Sequence, residues 1–363
     1  MRLHEARAAW AQDQALLARQ GVHLPDVKTY TPDEWLLDAS LAMDAAPTFV
    51  STPNSGIPFW LTASIDPRVF RVLFSPNKAS EIFPEIIAGT WEDQTRLFPL
   101  VENGGEVSSY GDYNDNGRAT VNANWPERQA YLFQTHSEYG DLDVARSGRG
   151  LINLVGETEV SSVTLIEKFR NLSYFFGVAG LQNYGMVNDP SLTAALTPGT
   201  KTAGRGNVWV YNGAIQATAN EIALDVQSMG LQLIAQTEGL VDVDSKLLLC
   251  LSPQSGMALT SINIYGVSAM DILKKTYKNM SIVTAIQYGV LSATNPQGIA
   301  AGNLVQLIAP EIENQQTGFV ASNSKLRAHR MEVRSSSVRR KSSAGTWGAV
   351  IRQPIAIAQM LGV

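Results

Sequence analysis

Residues 90–138 are the part of this chain that most restricts its fold. Apolar and polar residues alternate through "TRLFPLVENGGEVSSYG" and again through "RATVNANWPERQAYLFQTHSEYG", which is the period of a β-strand. Between them lies "DYNDNG", whose residues tolerate positive φ at a turn. The segment reads as one long β-hairpin. Its faces hold few aliphatic side chains, and a two-stranded ribbon is marginal in water. It must rest on another surface, and nothing adjacent in sequence supplies one.

The same turn carries a second pattern. Asp112, Asn114, Asn116 and Gly117 fall on the D-x-[DN]-x-[DN]-G spacing of an EF-hand calcium loop. Such a loop completes its coordination with a bidentate Glu at the last position. Here that position is Ala123, and the segment that follows reads as strand, not helix. The hairpin-tip reading wins, and no metal or cofactor is expected.

Before the hairpin, residues 5–20 can form a helix around Trp10, Leu16 and Leu17, followed by a Pro- and Gly-punctuated stretch. Such a segment builds no core of its own. Its aromatics Phe49, Phe59 and Trp60 favour an arm, residues 1–65, lying over something else. After the hairpin the period switches. Val163, Ile166, Phe169, Leu172 and Phe176 recur at helical steps, giving one long helix over 154–177 that stops at Gly177.

A compact α/β or α+β region is expected between residues 200 and 315. Thr218 with Glu221, and Ser268 with Asp271, read as capping boxes that start two helices. "KLLLCLSP", "SIVTAIQYGV" and "GNLVQLIAPEI" read as strands. Residues 316–363 read as strands returning to the first region.

Candidate chemistry is sparse. The four histidines, His4, His23, His136 and His329, show no ligand spacing. Glu92 and Asp93 are adjacent on a strand, so their side chains point to opposite faces. The single cysteine, Cys250, sits in an apolar run and reads as a small buried hydrophobe. No nucleophile elbow or phosphate loop is present. The one charge asymmetry is Arg327, Arg330, Arg334, Arg339, Arg340 and Lys341, opposed only by Glu332. A solvated ribbon or partner-pairing charges are favoured there over direct phosphate contact, the DNA-facing alternative.

Charged residues make up 17% of the chain, below the usual roughly 25%, so partners are expected to cover much of its surface. The net charge of -5 gives no general attraction to nucleic acid or membrane. No apolar run reaches the roughly 18 residues of a membrane span, and the N-terminus does not read as a secretory signal. A reducing, aqueous compartment is expected.

Three stretches resemble the major capsid proteins of tailed bacteriophages with the HK97-like fold, in particular a group of phage coat proteins of formerly unknown function. They are the hairpin with its "WED" entrance and "YGDYN" tip, the helix exit "FFGVAGLQNYGMVNDP", and the ending "GTWGAVIRQPIAIAQMLGV". The resemblance implies an α+β fold with an arm (1–65), an extended loop (90–138) over the adjacent subunit, and a peripheral domain (66–89 and 139–199) built on a spine helix (154–177). It further implies an axial domain (200–315) and C-terminal strands (316–363) that return to the peripheral domain. Hexamers and pentamers would form an icosahedral virion shell around double-stranded DNA, assembled in the host cytoplasm with a portal protein and no sequence-specific binding. The chain has no long N-terminal scaffolding segment, so a separate scaffolding protein is expected; a decoration protein is left open. In this setting Trp91, Tyr110, Tyr113 and Trp125 are the expected aromatic anchors of the loop on its neighbour. Asp112, Arg118 and Arg128 are the expected polar contacts. No catalytic residue is assigned. The rival readings are an encapsulin-like compartment shell and a calcium-dependent adhesion module.

Overall fold

The computed structural model describes residues 76–149, 152–203, 206–293 and 295–363, all within the unit Val69–Val363. The expected arm, residues 1–65, lies outside the described residues. Along the chain come α1 (Ala79–Ile82), β1 (Glu85–Ile87), β2 (Thr95–Leu97), β3 (Leu100–Glu106), β4 (Arg118–Asn124), β5 (Glu127–Gln129) and β6 (Tyr131–Gly140). Then follow α2 (Asp141–Arg149), α3 (Leu154–Phe176), β7 (Val210–Tyr211), β8 (Ala214–Ile215), α4 (Ala219–Gln236), β9 (Leu247–Leu251), α5 (Pro253–Ala258), α6 (Ala269–Thr276) and β10 (Met280–Thr284). The last are β11 (Leu304–Ile308), β12 (Glu311–Ile312), β13 (Gln315–Gln316), β14 (Gly318–Ser322), β15 (Ser324–Ala328), β16 (Glu332–Val333), β17 (Ser337–Thr346), β18 (Gly348–Ile351) and β19 (Ile357–Leu361).

The long helix α3 starts where Asn153 caps it, its side chain accepting from Gly156 N at 3.1 Å. It ends at Gly177, where φ is 65° and an added Cβ would stand 2.1 Å from the Asn183 carbonyl oxygen. Only glycine allows the chain to turn so tightly there. Residues 186 and 187 then donate back to the carbonyls of Tyr174 and Phe175. Ile166, Tyr174 and Phe175 are buried, and the helix lies along β6, with Phe133 and Phe169 rings 4.6 Å apart.

Both expected capping boxes are formed, Thr218 with Glu221 on α4 and Ser268 with Asp271 on α6. These helices cover a four-stranded sheet in the order β10-β9-β11-β19. β9 and β10 run parallel, joined through α5 and α6, whereas β11 opposes both β9 and β19. Every residue of β9 is buried, as an all-apolar strand requires when both sheet faces are covered. Its side chains divide by alternation. Leu247, Leu249 and Leu251 join the core under α4 and α6, with Trp209, Val226, Met229 and Leu273. Leu248 and Cys250 join a second core with Phe175, Met186, Tyr288 and Val320. A smaller third core gathers Ala88, Phe98, Phe319, Ala321, Trp347 and Val350 around the sheet β1-β14-β18.

Two sequence expectations are corrected by this topology. The hairpin does not extend to residue 138. It closes at β5, and β6 instead pairs along all ten residues with β17, from Tyr131↔Thr346 to Gly140↔Ser337. β6 alternates like the ribbon, but a strand's period does not say which partner it takes. Nor do all the C-terminal strands return to the peripheral region. β17 pairs with β6, β18 pairs with β14, and both lie against α3, while β19 forms the edge of the sheet β10-β9-β11-β19. Most of β19 is buried, which suits a sheet packed on both faces.

Candidate inter-subunit surface

The root of the ribbon is fastened into the body. Phe98 is buried against Phe319, ring centroids 5.6 Å apart, and Trp347 Nε1 donates to the Ala88 carbonyl at 2.8 Å. On the returning side Arg128 is buried. Its Nη2 donates to Asp189 at 2.7 Å, and its guanidinium lies 5.0 Å from the centre of the Tyr184 ring. The neighbouring Gln129 carbonyl accepts from Asn183 Nδ2 at 3.0 Å.

Beyond Leu100 the ribbon leaves the body. All of β4 and all of β3 after its first residue are exposed. The register Leu100↔Asn124 to Glu106↔Arg118 gives the two faces different characters. Val101, Ala119, Val121 and Ala123 line one face, with Val101 61% and Val121 67% exposed. Glu102, Glu106, Arg118, Thr120 and Asn122 line the other. At seven residues per strand the ribbon reaches roughly 23 Å, before the tip is counted. At the tip Tyr110 and Tyr113 are almost wholly exposed. Asp112 accepts from the Tyr110 hydroxyl at 2.8 Å, and Asn114 is committed to the loop itself, donating to the Ser109 carbonyl and accepting from Asn116 N. These groups serve the turn.

Of the expected contact residues, Tyr110, Asp112, Tyr113, Arg118 and Trp125 are therefore exposed on the ribbon or its tip. Two others are engaged within their own subunit. Arg128 is spent on Asp189, so it does not pair with acids across a contact. Trp91 stands edge-on to His329, centroids 6.3 Å apart, and under the Arg327 guanidinium at 5.3 Å. It joins the ribbon's entrance to β15. The basic cluster likewise divides. Arg334 reaches Glu138 (3.4 Å) and Glu332 (3.6 Å), and Arg340 reaches Glu159 of α3 (3.6 Å). Arg330, Arg339 and Lys341 form no ion pair among the described residues, although Arg339 stands directly across from Glu138 on one side and Glu332 on the other.

A protein-family model matches residues 48–362, which is nearly the whole chain; it describes the Pa193 gp26 major capsid protein. The chain belongs to this major capsid protein family. It is a capsid shell protein, with a place in the virion. No curated protein sequence matches it. Among solved structures, the capsid of Myoviridae phage XM1 superposes with a TM-score of 0.67 at 12% identity, over 85% of this chain and 100% of that one. The capsid of a native GTA particle gives 0.55 at 9% identity, over 86% and 99%. Mycobacterium phage Ogopogo gives 0.54 at 11% identity, over 84% and 98%. The fold of this capsid protein is accordingly the HK97-like one, mixed helix and strand.

Several residues that organise the capsid protein were silent in its sequence. Lys201 and Asp225 form a buried ion pair, with Trp209 Nε1 donating to the same carboxylate at 2.7 Å and Gly199 N at 3.0 Å. This fastens the loop before α4 to that helix. Glu85 is held by Lys325 (2.8 Å), Arg170 (3.4 Å) and the Tyr174 hydroxyl (2.9 Å). Burial raises its pKa, but these donors and charges outweigh burial and hold it below the ordinary value. No local pattern marks such groups, because their partners lie 16 to 240 residues away. Cys250 is fully buried and burial pushes its thiol upward, away from reactivity. Among the described residues, no helix is long and apolar enough to cross a membrane.

Proposed function

We propose that many copies of this capsid protein close into an icosahedral shell of hexamers and pentamers around the double-stranded DNA of a tailed phage. Each ribbon lies on an adjacent copy. The observation that carries this reading is the contrast within one element: a root clamped by Phe98 and Arg128, and a distal part whose residues are exposed on both faces. A ribbon with Val101, Val121, Tyr110 and Tyr113 in water gains by being covered, at about 25 cal/mol per Å² of apolar surface. Several such moderate contacts per subunit add up once the lattice closes. The protein works as a building unit and not as an enzyme. Its partners are copies of itself, a portal protein and a separate scaffolding protein, and it meets DNA without reading sequence.

The test is deletion of residues 105–120. The variant is expected to remain a folded subunit by circular dichroism and to form no shells under negative-stain microscopy. Particles of normal size and number from this deletion would overturn the reading.

A further inference from the structure

Asn103, Asn116 and Asn212 each stand directly before a glycine. Asparagine is chemically labile, and a following residue without a side chain lets its backbone nitrogen approach the asparagine Cγ unhindered. The backbone separates the three. Asn103 lies within β3 opposite Val121, and Gly104 lies opposite Thr120, so a reaction there must break the ladder. Asn212 and Gly213 form the two-residue turn between β7 and β8, with φ of 47° and 76°, and the pairing of Tyr211 with Ala214 fixes them. Asn116 precedes β4 and belongs to no strand. It is exposed, its side chain makes no hydrogen bond to a described residue, and Gly117 N donates to none.

The tip adds an activating contact. Ser108 Oγ donates to the Asn116 carbonyl oxygen. That oxygen belongs to the peptide group whose nitrogen is Gly117 N, and loss of the Gly117 N–H proton moves negative charge onto it. A donor already aimed there stabilises the anion, as an oxyanion-hole donor does. The turn also demands this glycine, since its φ is 94° and an added Cβ would stand 3.1 Å from both Ser108 N and Oγ. We propose that Asn116–Gly117 is a self-modifying site, with Ser108 as its activating group. Hydroxide removes the Gly117 N–H proton, and the nitrogen attacks Asn116 Cγ. The new N–C bond closes a succinimide as the bond to the side-chain nitrogen breaks and ammonia leaves. Water then adds to either imide carbonyl, giving aspartate or isoaspartate. Both products set a further carboxylate beside Asp112 and Asp115. Isoaspartate also lengthens the backbone just before Arg118, whose register partner is Glu106. The change runs one way, so the ribbon tip of a free subunit ages. This goes beyond the shell reading and proceeds whether or not the subunit assembles.

The test incubates the full-length free subunit in mildly alkaline buffer and follows amide-to-acid conversion at each asparagine by peptide mapping with tandem mass spectrometry. Asn116 should convert several-fold faster than Asn103 and Asn212. Ser108→Ala should slow conversion at Asn116 several-fold, and Ser108→Thr, which keeps the hydroxyl, should restore it. The direction of the Ser108→Ala effect separates activation from bracing. If Ser108 only braced the turn, its loss would loosen the tip and speed the reaction. Both substitutions lie at the ribbon tip, away from the three cores, so the body stays folded for the comparison. Unchanged or faster conversion in Ser108→Ala overturns the proposal, and so does an Asn116 that converts no faster than Asn103 or Asn212. Neither result touches the shell reading, which the deletion of residues 105–120 tests separately.

Discussion

Arg128 bears a full charge in a buried position, and one carboxylate and one aromatic ring hold it there. Replacing it by alanine leaves Asp189 enclosed without its cation, so Arg128→Ala is expected to cost about 3–5 kcal/mol in denaturant unfolding. Arg128→Lys keeps the charge but loses the planar stacking on Tyr184 and should fall between the two. Glu221 makes a pH-dependent contribution. Burial raises its pKa, but hydrogen bonds from Thr202 and Thr218 outweigh this and hold it at about 2, against an ordinary 4.5. A group depressed in this way stabilises fully above its unfolded value and loses that stability as pH falls through the folded one. The melting-temperature gap between the parent and Glu221→Gln should therefore be constant above about pH 5 and shrink from there towards pH 2. A gap that widens on acidification contradicts the assignment. The capping partners of Glu221 were legible because they sit three residues apart. The pair Arg128–Asp189 was not, since a salt bridge across 61 residues leaves no local pattern.

Among the elements, those with strong local periodicity were read well: α3, both capped helices and β9 stand where the sequence placed them. The ribbon was recognised, but its far boundary was not, because β6 shares its alternation and differs only in having β17 beside it. The exposed helix α2 was missed altogether; its residues, "DLDVARSGR", carry too few apolar side chains to draw a stripe. The same contrast predicts how the elements respond to protease. In the free subunit trypsin should cut early at Arg118, which lies on an exposed strand joined to the chain only through the ribbon. In assembled shells that site should be protected. Equal cleavage rates in the two states would mean that nothing covers the ribbon.

For the whole molecule, β9 is decisive, because its alternate side chains belong to different cores. The sequence suggested two regions divided near residue 200. The structure instead passes one strand through both packings, a fact invisible until β9 had neighbours on each face. Leu249→Ala should therefore cost about 2–5 kcal/mol and lower a single cooperative transition. Two separated melting steps would show that the halves are independent after all. A body stitched through its middle in this way resists flexing, since neither half rotates without disturbing the other's close-packed interior. Where a curved surface asks its tiles to meet at unequal tilts, the two packings on either side of β9 give no hinge between them, and this described body of each tile travels as one stiff piece.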